Sequence, residues 1–167
     1  LGMLACGGDL VKEAEAKSKA ACECKDADCV RPYIQWFNEQ SLKDAIDAAG
    51  AAGVVVVAAA GNDGIDSDST LFYPSCYTSS NIISVMSVDH DDLRSGFSNY
   101  GLTNVDLGAP GGSILSCAPG GGYQLKSGTS MAAPHVSGAC ALLLSANPML
   151  DVALIKDALM STVDPTL

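Results

Sequence analysis

No run of apolar residues in this chain reaches the roughly 18 needed to cross a membrane. The longest, 54–61 and 139–146, suit a buried strand and a buried helix. Basic residues are scarce: 9 Lys and Arg against 19 Asp and Glu leave a formal charge of −10. That excludes the basic footprint a nucleic acid requires and argues against an anionic membrane surface. Aromatics make up only 5%, so Ala, Val, Leu and Ile must build the core. The start has no basic segment ahead of an apolar one, so no signal peptide is read there. It also has no initiator Met, and an internal start is expected. Gly-x-Ser-x-Gly is missing too, since Gly128-Thr129-Ser130-Met131-Ala132 has no closing glycine, which speaks against a lipase-like hydrolase.

What is present fits a globular domain: 167 residues, 48% hydrophobic, with 17 Gly. Seven cysteines leave at least one free or paired outside the chain. Cys22, Cys24 and Cys29 lack a zinc spacing and a nearby His, and read as a disulfide-bearing insert. Cys140, in an apolar helix, reads as a small core residue. Residues 9–30 are charged and suit a surface insertion with a solvated helical turn or two over 12–21. A helix is expected over 41–49, capped by Ser41 with Asp44 three residues on. Four consecutive valines, 54–57, predict a strand buried on both faces, the mark of a parallel sheet between helices. Further strands are expected at 82–88, 105–107 and 113–116. A helix from Ser130 to 146 carries apolar residues nearly all round and should be central and buried. A last amphipathic helix starts near Asp151, with Val152, Ile155 and Leu159 on one face. The alternation gives a three-layer α/β fold with a mostly parallel sheet and helices on both faces.

Two loops carry chemistry. Ala59-Ala60-Gly61-Asn62-Asp63-Gly64 follows the tetravaline strand, at the sheet edge where open α/β sheets bind ligands. An Asn there can aim an amide N–H at a developing negative charge, although Gly-Asn-Asp-Gly is by default a turn. The second loop is Gly128-Thr129-Ser130-Met131-Ala132-Ala133-Pro134-His135. A hydroxyl at Ser130 lies at the positive end of a helix dipole, beside unpaired amides; the plainer alternative is an ordinary N-cap.

Together the loops resemble the subtilisin-like serine protease (subtilase) family. The octet 128–135 matches its nucleophile signature residue for residue, and Ala59–Asn62 resembles its oxyanion-asparagine loop. Phe72–Ser75, Asn81–Val85, Phe97–Gly101 and Val105–Gly111 follow in family order, so the resemblance spans about 41–163. It implies a serine endopeptidase acting through an acyl-enzyme. Ser130 would be the nucleophile, with Asn62 and the Ser130 amide as oxyanion donors. These roles are subtilisin's, the reference case for them, and do not come from spacing. Ala59, Ala60 and Gly61 would line a roomy apolar specificity pocket, with Gly128 and Thr129 also against the substrate. No cofactor is required, but a weak structural calcium is implied at Asp89 with carbonyls of 75–78; an ordinary acidic turn is the competing reading. The partners implied are a protein or peptide substrate, and a propeptide or the missing N-terminal half of the same chain. Localisation would be secreted, or secretory or vacuolar.

The family's order is aspartate, histidine, serine, and no match to the first two motifs occurs here. His135 lies five residues past Ser130, about 140° round the helix at 100° per residue, so it cannot act as its base. His90, in Asp89-His90-Asp91-Asp92, reads as a solvated loop residue. The chain is therefore expected to be a partial catalytic domain, 41–167, preceded by a loosely matching segment, 1–40. Met3–Gly8 there vaguely resembles the family's substrate-pairing strand. The alternative is a non-catalytic or degenerate subtilase-like binding fragment.

Overall fold

The computed structural model describes residues 12–13, 16–17, 19–20, 23 and 27–164. Met3–Gly8, Cys6, Cys22 and Cys24 lie outside them. The chain divides into two compact units, 1–44 and 45–167.

In the first unit, residues 12, 13, 16, 17, 19 and 20 are helical, as expected for the charged insert. Lys17 Nζ lies 3.7 Å from Glu13, one turn away, and 5.0 Å from the centre of the Trp36 ring. Cys29 is disulfide-bonded. Helix α1 spans Ala27–Ala51, so Ser41 does not begin a helix. The Ser-x-x-Asp spacing resembles a capping box, but pairs one turn apart carry the helix through it. Gln35 donates to Glu39 at 2.7 Å and Gln40 to Asp44 at 2.8 Å.

The second unit is built on three parallel strands in the order β1 (Val56–Ala59), β2 (Ile82–Val88), β3 (Leu107–Pro110). Val56 pairs with Ile82 and Val85 with Leu107. The central strand β2 is buried at all but Met86, and its span is the one expected from its apolar run. One sheet face meets helices α2 (Thr129–Ala146) and α3 (Val152–Thr162). Ile83, Val85, Leu107 and Ala109 pack there against Ala132, Val136, Cys140 and Ile155. On the other face Ile46, from the end of α1, packs with Ala58 and Ile82. This gives the helix–sheet–helix layering. Asp151 caps α3, accepting from Leu154 N at 2.8 Å, and Cys140 is the buried core residue expected.

Two burial expectations are corrected. The tetravaline segment is not buried on both faces: Val54, two residues ahead of β1, is 49% exposed, and Val55, Val56 and Val57 are half-buried. Helix α2 is buried only at Thr129, Ala132, Val136 and Cys140, and Leu142 is 74% exposed. The described sheet and α3 contact one side of it, so its apolar residues on the far side have nothing to pack on among the described residues.

Strand boundaries also move. The third strand runs 107–110 rather than 105–107. The fourth, β4, is Ile114–Cys117, since Ser113 takes φ +54° and leaves the extended region. A fifth, β5 (Tyr123–Lys126), was not expected; it pairs antiparallel with β4 across a turn rich in glycine.

Candidate active site

The two loops singled out in the sequence meet at the N-terminus of α2. Asn62 follows β1, and Ala60 N still donates to Val85 O at 3.0 Å, which anchors the loop to the sheet. The Asn62 Oδ1 accepts the Thr129 backbone amide at 2.8 Å and the Thr129 hydroxyl at 3.0 Å. A side chain 67 residues upstream thus caps a helix whose own N-cap, Gly128, has no side chain to do so. Because an amide N–H can only donate, the oxygen of Asn62 must face Thr129. The Nδ2 group is then turned away, and no partner for it is present among the described residues.

Ser130 is the second residue of α2 and is exposed. Its backbone N–H has no hydrogen-bond partner among the described residues, whereas Met131 N and Ala132 N both reach Gly128 O. Two N–H donors without partners, one from Asn62 and one from Ser130, therefore stand at the positive end of a helix. Free N–H donors at a helix N-terminus favour negative charge beside them. The serine side chain borders an open depression of about 330 Å³ with Ile114, Leu115, Met131 and Pro134.

The serine loop is held from both sides. Gly128 N donates to Gly111 O at 2.9 Å, and Gly128 takes φ +153°. A Cβ on Gly111 would meet Ser87 Oγ and approach Gly128 O to 2.8 Å. Gly61, at φ +108°, is buried, and its amide donates to Thr129 Oγ1 at 3.3 Å. The role of Asn99 was missed in the sequence. It is fully buried, donates to Ala60 O at 3.0 Å and accepts from Asp63 N at 2.9 Å and Ile65 N at 3.2 Å. Its own amide donates to Gly61 O at 3.0 Å. One side chain thus fixes the loop that carries Asn62. No local pattern announces this, because the contacts span more than thirty residues of chain.

Of the residues expected to line a specificity pocket, Gly61 and Thr129 are buried at the loop contact. Ala60 is fully buried and Ala59 half-buried. The Phe72 ring lies 3.2 Å from the position of a Cβ on Gly61, so an aromatic ring borders the wall assigned to that pocket.

His135 Nδ1 pairs with Met131 O of its own helix at 2.9 Å. It borders the same depression as Ser130, nearer than the helical angle implied, but no hydrogen bond joins the two side chains. His90 is exposed beside Asp91. Asp89 Oδ1 accepts the amides of Asp91 and Leu93, so this carboxylate caps its own turn. Residues 75–78 precede β2 and Asp89 follows it.

The Subtilase family model matches residues 34–166. Subtilisin E of Bacillus subtilis (strain 168) is 47% identical over 123 residues, 73% of this chain and 32% of that protein. Subtilisin DY of Bacillus licheniformis is 46% identical over 123 residues, 73% of this chain and 44% of its own length. Among solved structures, a protease from Pseudoalteromonas arctica PAMC 21717 superposes with a TM-score of 0.68 at 36% identity, covering 73% of this chain and 39% of that one. The chain spans about a third of the length of the first curated relatives it matches.

Proposed function

This chain belongs to the subtilase family, and from that premise we propose that it carries the nucleophile and oxyanion hole of a serine endopeptidase. Ser130 Oγ attacks the scissile carbonyl of a protein or peptide substrate. Its proton passes to a histidine base, oriented by an aspartate, and both of these lie outside the 167 residues. The carbonyl oxygen becomes an oxyanion that accepts from Asn62 Nδ2 and the Ser130 amide. Collapse expels the amine, which takes the proton from the histidine and leaves a Ser130 ester, and water then hydrolyses that ester. Ala59, Ala60, Gly61, Gly128 and Thr129 form the substrate-facing wall.

The observation that carries this reading is the pair of unpartnered donors at the mouth of α2, held by the Asn62–Thr129 contacts. A binding module has no need of such a pair. The exposed face of α2 also suits a partner segment: the part of the protein that brings the histidine, or a propeptide. A secreted, secretory or vacuolar location belongs to the same proposal.

Fluorophosphonate labelling tests it. The 167-residue chain alone labels weakly, since an unassisted serine is a poor nucleophile. Joined to the segment bearing the histidine it labels at Ser130, and Ser130→Ala abolishes the signal. Strong labelling of the isolated chain, lost in Ser130→Ala, would place the base within these residues instead.

A further inference from the structure

Ser75, Tyr77 and Thr78 line a cavity of about 230 Å³, and the acid that lines it is Asp106. Ser79, also in its wall, is buried, and its hydroxyl has no partner among the described residues. The backbone oxygens of Ser75 and Thr78 likewise accept no hydrogen bond among the described residues. Oxygen donors around a carboxylate are the surroundings a hard cation takes. A positive charge is already there. Lys156 Nζ reaches in from α3, lying 2.9 Å from Asp106 Oδ1 and donating to Ile82 O at 2.7 Å. The other carboxylate oxygen accepts Ser84 N at 2.8 Å, which fixes Asp106 against the sheet.

We propose that the Lys156 ammonium takes the place of a bound cation in this cavity, so that the protein holds the 75–82 loop against Asp106 without a metal ion. The two charges flank the chain leading into β2 and are both about three-quarters shielded. An ammonium supplies the single charge that a lone carboxylate requires. A divalent ion on the same carboxylate would have to displace the lysine, whose stem is tethered to α3. The inference concerns stability and does not depend on the catalytic assignment.

The test is thermal unfolding of the full chain in EDTA and in millimolar calcium chloride. Wild type melts at the same temperature in both. Lys156→Gln, which keeps the stem and removes the charge, melts several degrees lower in EDTA and regains much of that loss with calcium. Adding Asp106→Asn to Lys156→Gln abolishes the recovery, and Lys156→Arg remains indifferent to calcium. Calcium titration of the wild type by calorimetry gives an independent reading, with no binding that Asp106→Asn removes. The proposal is overturned by wild-type stabilisation in calcium that depends on Asp106, or by a Lys156→Gln protein that calcium does not rescue.

Discussion

The Asn62 Oδ1 sits between two donors of one residue, the amide and the hydroxyl of Thr129, at 2.8 and 3.0 Å. This contact decides which end of the Asn62 amide faces outward. Were Thr129 unable to hold the oxygen, the amide could rotate and present an acceptor where the proposed oxyanion would form, which would repel it.

Asn62→Ala in the complete protease should therefore lower turnover by about 10²–10³, the magnitude known for the corresponding donor in subtilisin itself. The Michaelis constant should change little, because the donor acts on charge that exists only in the transition state. Steady-state kinetics on a peptide anilide checks this. An unchanged turnover removes Asn62 from the mechanism.

Asn99 acts one step behind. Asn99→Ala strips the partners from Ala60 O, Asp63 N and Ile65 N in a buried setting. An unsatisfied buried group costs about 1–3 kcal/mol. The loop should loosen, with a lower denaturation midpoint and a fall in turnover that is absent when Asn62 is already alanine. Additive losses in turnover in the double variant would show that Asn99 does not work through Asn62.

These two residues mark how far the sequence could be read. The octet 128–135 and Ala59–Asn62 are contiguous motifs, so the two loops that meet at the start of α2 were legible. So were β2, whose burial matches its unbroken apolar run, and the Asp151 cap of α3, whose signal lies within three residues. What failed depends on distant partners. Ser41 looks like a helix start until the i,i+4 pairs on both sides are known. The exposure of α2 depends on which elements cover it, not on its own apolar circumference. Asn99 and the Lys156–Asp106 pair act across 34–50 residues, where spacing carries no information.

Asp68 gives a pH dependence. Desolvation works to raise its pKa, but donors from Asn104, Thr103 and Leu102 outweigh it and hold the carboxyl below its ordinary value. A depressed folded pKa contributes stability that is present above the unfolded value of about 3.9. That contribution is lost as pH falls through the folded value. Amide protection at 102–104, the exchange rate corrected for its intrinsic dependence on pH, should be high at neutral pH and fall in acid. Asp68→Asn should be less protected at neutral pH and converge with wild type at a pH low enough to protonate the carboxyl. A gap between the two that stays constant down to that pH would show that the carboxylate charge is not what orders the loop.

The most direct measurement is a diffraction structure of the protease inhibited by a fluorophosphonate. The account predicts phosphorus bonded to Ser130 Oγ, with one phosphoryl oxygen within about 2.7–3.1 Å of both Asn62 Nδ2 and the Ser130 amide. A phosphoryl oxygen turned away from Asn62, or an adduct on another residue, would contradict it.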